Sequence, residues 1–158
     1  MTNIKQVTIL LVLLIFYGSS IIAQTTSYNS DAILGTWLMP DNEGILEVFK
    51  ENELYHGKII WLKKTEDDGS PLKDKENPDE NLRDREVIGL QVMNNFKYEG
   101  ENIWNGGTFY AARKGREAEP DLILVNPNQL NIKISILIFS KTIPLTRIDT
   151  AQYFKENY

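Results

Sequence analysis

The chain has 158 residues, of which 42% are hydrophobic, and it carries a formal net charge of −5. Its length is typical of one globular domain. It has no cysteine and one histidine, His56, so disulfides, thiolate catalysis, cysteine metal sites and two-histidine metal sites are excluded. We expect no nucleic-acid binding, because the chain is acidic and no basic cluster with interleaved aromatic residues offsets that charge.

Residues 1–23 have the pattern of a secretory signal peptide. Residues 1–6 are polar and include Lys5, residues 7–23 carry no charge, and Gln24 follows a small residue at a plausible cleavage bond. The apolar run is too short for a comfortable membrane span, although an uncleaved anchor is the alternative. We therefore expect a periplasmic or secreted protein with no membrane span after cleavage and, without a lipobox cysteine, no acyl anchor.

The remainder is expected to consist of a flexible leader at 24–30, one β domain at 31–149 and a C-terminal tail at 150–158. Short runs of β-forming residues bounded by turn residues fill the domain. The polar reversal Glu51-Asn52-Glu53 indicates a hairpin between two of them. Strands are predicted, in chain order, at residues 33–39, 45–50, 54–62, 87–96, 103–112, 122–125, 130–138 and 142–148.

The segment from Leu130 to Ile138 has the clearest strand pattern. Leucine or isoleucine stands at every second position, with polar residues between them as far as Ser135, which is typical of a strand with one face in a core. The polar face disappears at Leu137 and Phe139, so the far half is expected to be covered on both sides. Because no long amphipathic helix and no repeat are evident, the spacing predicts an all-β antiparallel barrel of about eight strands.

One long acidic loop interrupts the strands. Residues 63–86 contain nine acidic and six basic side chains, and the segment exceeds the usual length of a connection. A helical turn is predicted from Pro78 to Arg85, because Asn77 can cap it and Asp79 suits the positive end of a helix dipole.

Several motifs follow one another in the order seen in a family of exported bacterial proteins: Gly35-Thr36-Trp37, Leu54 to Trp61, Asp74-Lys75-Glu76-Asn77-Pro78-Asp79, Leu82-Arg83-Asp84-Arg85 with Gly89-Leu90, and Trp104 to Tyr110. Over residues 31–148 the chain resembles the family called domain of unknown function 2147. The resemblance implies a lipocalin-like antiparallel barrel, export and no established activity.

The chain resembles a divergent member of that family. Ala111-Ala112 stand where the family usually has Asp-Pro, Lys133-Ile134-Ser135 stand where it has Arg-Gly-aromatic, and Leu145 stands near the place of a tryptophan. If those family residues serve a common function, this chain has lost or altered it.

Trp37 and Arg147 are assigned a structural role. The motif around Trp37 resembles the Gly-x-Trp that opens lipocalin barrels, in which an arginine of the last strand covers the indole. Arg147, in the last predicted strand, is placed to do this.

Candidate ligand-binding residues lie in the loop and in the strands. In the loop, the candidates are Asn77, Asp79, Arg83 and Arg85. The two arginines could hold a carboxylate or phosphate group, or Asp79 with Asp84 or Glu86 could hold a hard cation. Alternatively they only cap a turn and fasten the loop to the barrel. In the strands, aromatic side chains either belong to the core or line the barrel mouth and stack on a ligand: Trp61, Trp104 and Tyr110.

No catalytic residue, metal site or cofactor is expected. Nucleophile motifs are missing, and an EF-hand register starting at Asn77 places Leu82 where glycine is needed. His56 is expected at the surface or at the barrel rim, because no second base is arranged with it.

Three functions stay open, of which a binding module for a small, partly apolar molecule in the barrel mouth is favoured. The second is an envelope module whose acidic loop, residues 66–86, meets a protein or cell-wall partner. The third is a carboxylate-dependent hydrolase that uses Asp79 and Glu86. We expect a monomer whose partner is a small molecule or an envelope protein.

Overall fold

The computed structural model describes residues 27–158, so the predicted signal peptide at 1–23 lies outside the described residues. This part of the chain forms one antiparallel sheet and ends in a short helix. The elements are β1 (Gly35–Leu38), β2 (Gly44–Glu51), β3 (Leu54–Leu62), β4 (Gln91–Gly100), β5 (Ile103–Asn105), β6 (Thr108–Ala111), β7 (Arg116–Ala118), β8 (Asp121–Asn126), β9 (Gln129–Ile136), β10 (Phe139–Arg147) and α1 (Thr150–Asn157).

The sheet closes into a barrel with eight strand positions. Its order is β3-β2-β1-β10-β9-β8-β5-β4, and β4 pairs with β3 to close the ring. β5 and β6 both pair with β4, at successive places along it, while β8 pairs with β5 and β7 with β6. β5 with β6, and β7 with β8, therefore each fill one position. The predicted all-β antiparallel barrel of about eight strands is confirmed.

Polar residues with left-handed backbone form two of the hairpin turns. Asn52 and Glu53, at φ 48° and 63°, join β2 to β3, which is the predicted hairpin. Glu101 and Asn102, at φ 50° and 65°, join β4 to β5. Two-residue turns of this kind match the twist of the flanking strands, and polar residues occupy them most readily.

The boundaries of several predicted elements differ in the structure. β4 begins at Gln91 rather than at residue 87, and the predicted tail forms α1. The predicted strand at 103–112 is divided into β5 and β6 at Gly106, whose φ of 70° is not that of an extended strand. At the next residue, a Cβ atom on Gly107 would lie 2.4 Å from the carbonyl oxygen of Asn94. Only glycine permits that approach.

The core consists of the inward-facing residues of the barrel. Leu130 and Ile132 in β9 and Leu145 in β10 are at most 1% exposed, so the near half of the predicted alternation points inward as expected. The largest side chains of this core are Trp37, Trp104, Tyr55 and Phe96.

The far half of the predicted strand 130–138 is not covered on both faces, and this prediction was wrong. β9 ends at Ile136, Leu137 and Ile138 form a two-residue turn, and β10 begins at Phe139. These four residues are 66%, 98%, 91% and 74% exposed in chain order. The pairing of β8 with β9 ends before this region, so the loss of alternation marks a projecting hairpin tip.

The segment before β1 covers one end of the barrel. The indole Nε1 of Trp37 donates to the carbonyl of Ile33 at 2.9 Å, and that of Trp104 donates to the carbonyl of Ser30 at 3.1 Å. Residues 28–33, the first of which belong to the predicted leader, are therefore bonded to the barrel.

Arg147 lies over Trp37 at this covered end. The two residues are direct partners in the β1–β10 register, and the guanidinium carbon is 4.1 Å from the indole centroid. The guanidinium also donates to the carbonyls of Ala32, Leu34 and Pro127 at 2.5, 2.6 and 2.6 Å. One side chain thus connects three chain segments around the indole.

Candidate functional site

The other end of the barrel opens into a cavity of about 1010 Å³. Ile59, Val92, Ile132 and Leu145, all buried in the core, line its deep part. The β1–β2 turn, the loop after β3, the β6–β7 turn and the β9–β10 hairpin form its mouth. Binding pockets for small molecules usually have volumes of about 300–1000 Å³, so this barrel has room for one organic ligand.

Two cations lie on interior-facing rows at the mouth. Lys141 lies on the same face of β10 as Ile143 and Leu145. Arg116 lies on the same face of β7 as Ala118, which pairs with Phe109 of β6. Both line the cavity. Within residues 27–158 neither side chain forms an ion pair, so both are free to meet a negative group.

Some of the other charges at the mouth form ion pairs. Glu43 accepts from Arg113 at 3.1 Å and lies 3.8 Å from Lys64, while Lys75 is 2.5 Å from Glu66. The mouth is therefore a ring of both signs around an apolar interior. The further charged residues of the ring are Asp41, Lys73, Glu76, Lys114 and Glu117.

A buried carboxylate anchors the long loop beside the cavity. The Asp74 side chain is fully buried. Its Oδ1 accepts from the Tyr110 hydroxyl at 2.7 Å, and its Oδ2 accepts from Asn77 Nδ2 at 2.8 Å and from Arg85 Nε and Nη2 at 2.9 and 2.8 Å. Because Tyr110 belongs to β6 and lines the cavity, this network fixes the loop to the barrel wall.

The network sets the ionisation of its members. Burial raises the pKa of the Asp74 carboxyl, but hydrogen bonds from Asn77, Tyr110 and Arg85 outweigh burial and lower that pKa below its ordinary value. Burial and the bond to the Asp74 carboxylate raise the pKa of Tyr110. At neutral pH the pair is a charged acceptor and a neutral donor, which suits anchoring rather than proton transfer.

The predicted helical turn is a short 3-10 helix at Glu80–Leu82, capped by Asp79 and not by Asn77. The Asp79 carboxylate accepts from the backbone nitrogen of Asn81 at 3.0 Å. Arg83 donates through Nε to the carbonyl of Asn77 at 2.8 Å. These side chains hold the loop in its observed course.

A second cavity, of about 540 Å³, lies on the loop itself. Arg83 lines it, among acidic and basic side chains. Asp79 and Glu86, the acids named for hydrolysis, line neither this cavity nor the barrel cavity.

Trp61 lies outside the cavity and packs against α1. Its indole centroid is 6.2 Å from the ring of Tyr153, 5.7 Å from Phe154 and 5.7 Å from Tyr158. These edge-to-face contacts attach the helix to β3.

Trp104 is fully buried in the core, so of the three aromatic residues proposed for the mouth only Tyr110 lines the cavity. His56 is 7% exposed, and its expected place at the surface or rim was wrong. Its ring stacks on Phe49 with centroids 5.6 Å apart, and its Nδ1 is 3.1 Å from Gln91 Nε2.

Sequence reasoning missed three residues of this site. Lys141 could have been found, because it continues the alternation of Ile143 and Leu145. Asp74 opens one of the family motifs, but only the fold brings Tyr110 to it. Arg116 carries no local signal.

Within residues 27–158, no cluster of histidine, aspartate and glutamate could hold a metal ion. No helix in the same range combines the length and apolar character needed to cross a membrane.

Residues 35–147 match the bacterial family described as "Uncharacterized protein conserved in bacteria (DUF2147)". The chain belongs to the DUF2147 family. Among solved structures, this DUF2147 barrel is similar to protein HP1028 from the human pathogen Helicobacter pylori, which is described as belonging to the lipocalin family. The two share 21% identity with a TM-score of 0.66, over 77% of this chain and 86% of the other.

This likeness confirms a lipocalin-like fold for the DUF2147 chain. At this level of identity it supports the fold alone. No curated protein matches the sequence.

Proposed function

We propose that this DUF2147 protein is a binding module that takes one small, partly apolar molecule into the open half of its barrel. The supporting observation is the cavity of about 1010 Å³, whose depth is lined by aliphatic side chains and whose mouth carries charges. A molecule that fits it would bury an apolar body and keep a polar group at the rim.

The construction of the barrel supports this function over the two alternatives. Residues 28–33 cover one end, and the Asp74 network fixes the loop beside the other, so the cavity is preformed. In the loop, Lys73 pairs with Asp84 and Arg83 with Glu80, which leaves fewer charges for an envelope partner. We also propose that binding takes place in the periplasm or outside the cell, because of the signal-peptide pattern.

The test is a cavity-filling substitution. Ile143→Trp places a large ring in the cavity, whereas Thr146→Trp places the same ring on the exposed face of the same strand. With N-phenyl-1-naphthylamine as a fluorescent apolar probe, we expect Ile143→Trp to weaken binding by about tenfold or more, that is about 1.4 kcal/mol. Thr146→Trp should bind the probe as the wild type does.

Equal probe binding by the wild type and Ile143→Trp would contradict the proposal. Native mass spectrometry of the protein from its own host provides a second measurement. A retained small molecule, lost in Ile143→Trp and kept in Thr146→Trp, would support the proposal.

A further inference from the structure

The hairpin tip, defined as Ile136, Leu137, Ile138 and Phe139, exposes four consecutive apolar residues. Leu137 is 98% and Ile138 is 91% exposed. The turns of the β2–β3 and β4–β5 hairpins carry polar residues at the corresponding positions: Asn52, Glu53, Glu101 and Asn102. A contiguous apolar projection of this kind usually marks an interaction site.

The backbone conformation at Leu137 disfavours a leucine side chain. Leu137 has φ 53°, a left-handed conformation that favours glycine or asparagine and disfavours a branched apolar side chain. A turn whose only task was to reverse the chain would carry a polar residue or glycine here. The side chain of Leu137 therefore serves something other than the fold.

The tip is continuous with the charged mouth of the barrel. Ile136 lines the cavity, and Lys141 lies two residues beyond Phe139 on the same strand. Arg116, on β7, lines the same cavity as Ile136 and Lys141. Two cations without an ion pair thus lie at the same end of the barrel as the apolar projection.

We propose that the hairpin tip inserts into the surface of a lipid bilayer that contains anionic headgroups, with Lys141 and Arg116 beside the phosphates. Apolar side chains that enter the interfacial region, with basic residues at headgroup level, are the general features of proteins that lie on membranes. The tip is a narrow projection, whereas a stable contact between two proteins buries about 800 Å² on each partner. A bilayer accepts a projection without needing a matching surface.

Docking at this place would face the cavity mouth toward the lipid. A functional meaning of this orientation rests on the proposed ligand binding, but the membrane docking itself does not. The two are measured separately, by vesicle binding and by probe binding.

The test replaces the tip by a turn that suits its backbone. The double variant Leu137→Gly with Ile138→Ser removes the apolar turn residues and relieves the left-handed position, so its unfolding temperature should stay the same or rise. Val125→Ser, which changes an exposed apolar residue of β8 that is 49% exposed, is the matched control. All proteins are used as the mature chain from Gln24.

We expect the wild type and Val125→Ser to float with vesicles of phosphatidylglycerol mixed with phosphatidylethanolamine. The bound fraction should fall about tenfold in the tip variant and severalfold in Lys141→Gln. In Phe139→Trp, added vesicles should shift the tryptophan emission to shorter wavelength. The tip variant should bind N-phenyl-1-naphthylamine unchanged, because neither turn residue lines the cavity.

Three outcomes would overturn the docking proposal: no flotation of the wild type, equal flotation of the tip variant, or a wild-type dimer in solution that the tip variant abolishes. The last would assign the tip to a second copy of the chain. Loss of probe binding in Ile143→Trp remains a separate result and decides only the proposed function.

Discussion

Asp74 is a buried carboxylate whose partners come from two places in the chain. Asn77 and Arg85 belong to the same loop, while Tyr110 belongs to β6. A buried charge is tolerated only when hydrogen bonds replace its lost hydration. The loop position beside the cavity therefore depends on this one residue.

Replacing Asp74 by Asn should lower the free energy of unfolding by about 2 kcal/mol at neutral pH, because charged hydrogen bonds are lost. The pKa of Asp74 is lowered in the folded state, so its charge stabilises the fold at pH values above its ordinary pKa of 3.8. That contribution disappears as the pH falls through the lowered pKa. The difference between variant and wild type should therefore narrow in acid, as measured by urea unfolding at a series of pH values.

Asp84→Asn is the control for this series. Its side chain is 94% exposed and pairs with Lys73 at the surface, where ion pairs contribute little. If Asp74→Asn differed from the wild type by the same amount at every pH, the charge of Asp74 would not be the stabilising factor.

Leu137, unlike Asp74, does not stabilise the fold. A left-handed conformation costs an ordinary L-residue about 1–2 kcal/mol, and full exposure returns no burial energy. Leu137 therefore lowers the stability of the fold, and its role lies outside the barrel.

At the scale of elements, α1 is a helix that depends on its contacts. Eight residues are too few for a stable helix in water. The Asp149 carboxylate caps it by accepting from the backbone nitrogen of Gln152 at 2.9 Å. Its aromatic residues meet Trp61 on β3, so the tryptophan acts as the docking point.

Trp61→Ala should release α1 without unfolding the barrel. We expect the attachment of α1 to the barrel to weaken by about 1–3 kcal/mol, since three aromatic contacts are lost. Amide hydrogen exchange should then show loss of protection in residues 153–157 and unchanged protection in β9. Lys155→Ala changes an exposed position of the same helix, and in this control variant the helix should keep its protection. If Trp61→Ala also lost protection in β9, the helix and the barrel would unfold together.

At the scale of the whole molecule, the barrel is closed by contacts between distant segments. β4 pairs with β3 across the long loop, and β1 pairs with β10 across most of the chain. Such contacts close the wall of the barrel, and residues 28–33 cover one end while the other opens into the cavity.

Export is a prediction for the whole molecule. In its own host, we expect the protein in the periplasm or medium, with a mass that corresponds to a chain beginning at Gln24. Leu11→Arg with Leu13→Arg would place charges in the apolar run and should leave the full-length chain inside the cell. A wild-type chain that keeps residues 1–23 would favour the uncleaved anchor instead.

The sequence alone determined the fold class, the β2–β3 hairpin and the inward row of β9, because alternation and turn chemistry act between neighbouring residues. It also identified the motifs that place the chain in its family. It could not distinguish a doubly covered strand from an exposed hairpin at Leu137, since both lack a polar face. The cavity, the Asp74 network and the cations at the mouth were decided only by the tertiary structure, because they arise where segments far apart in the chain meet.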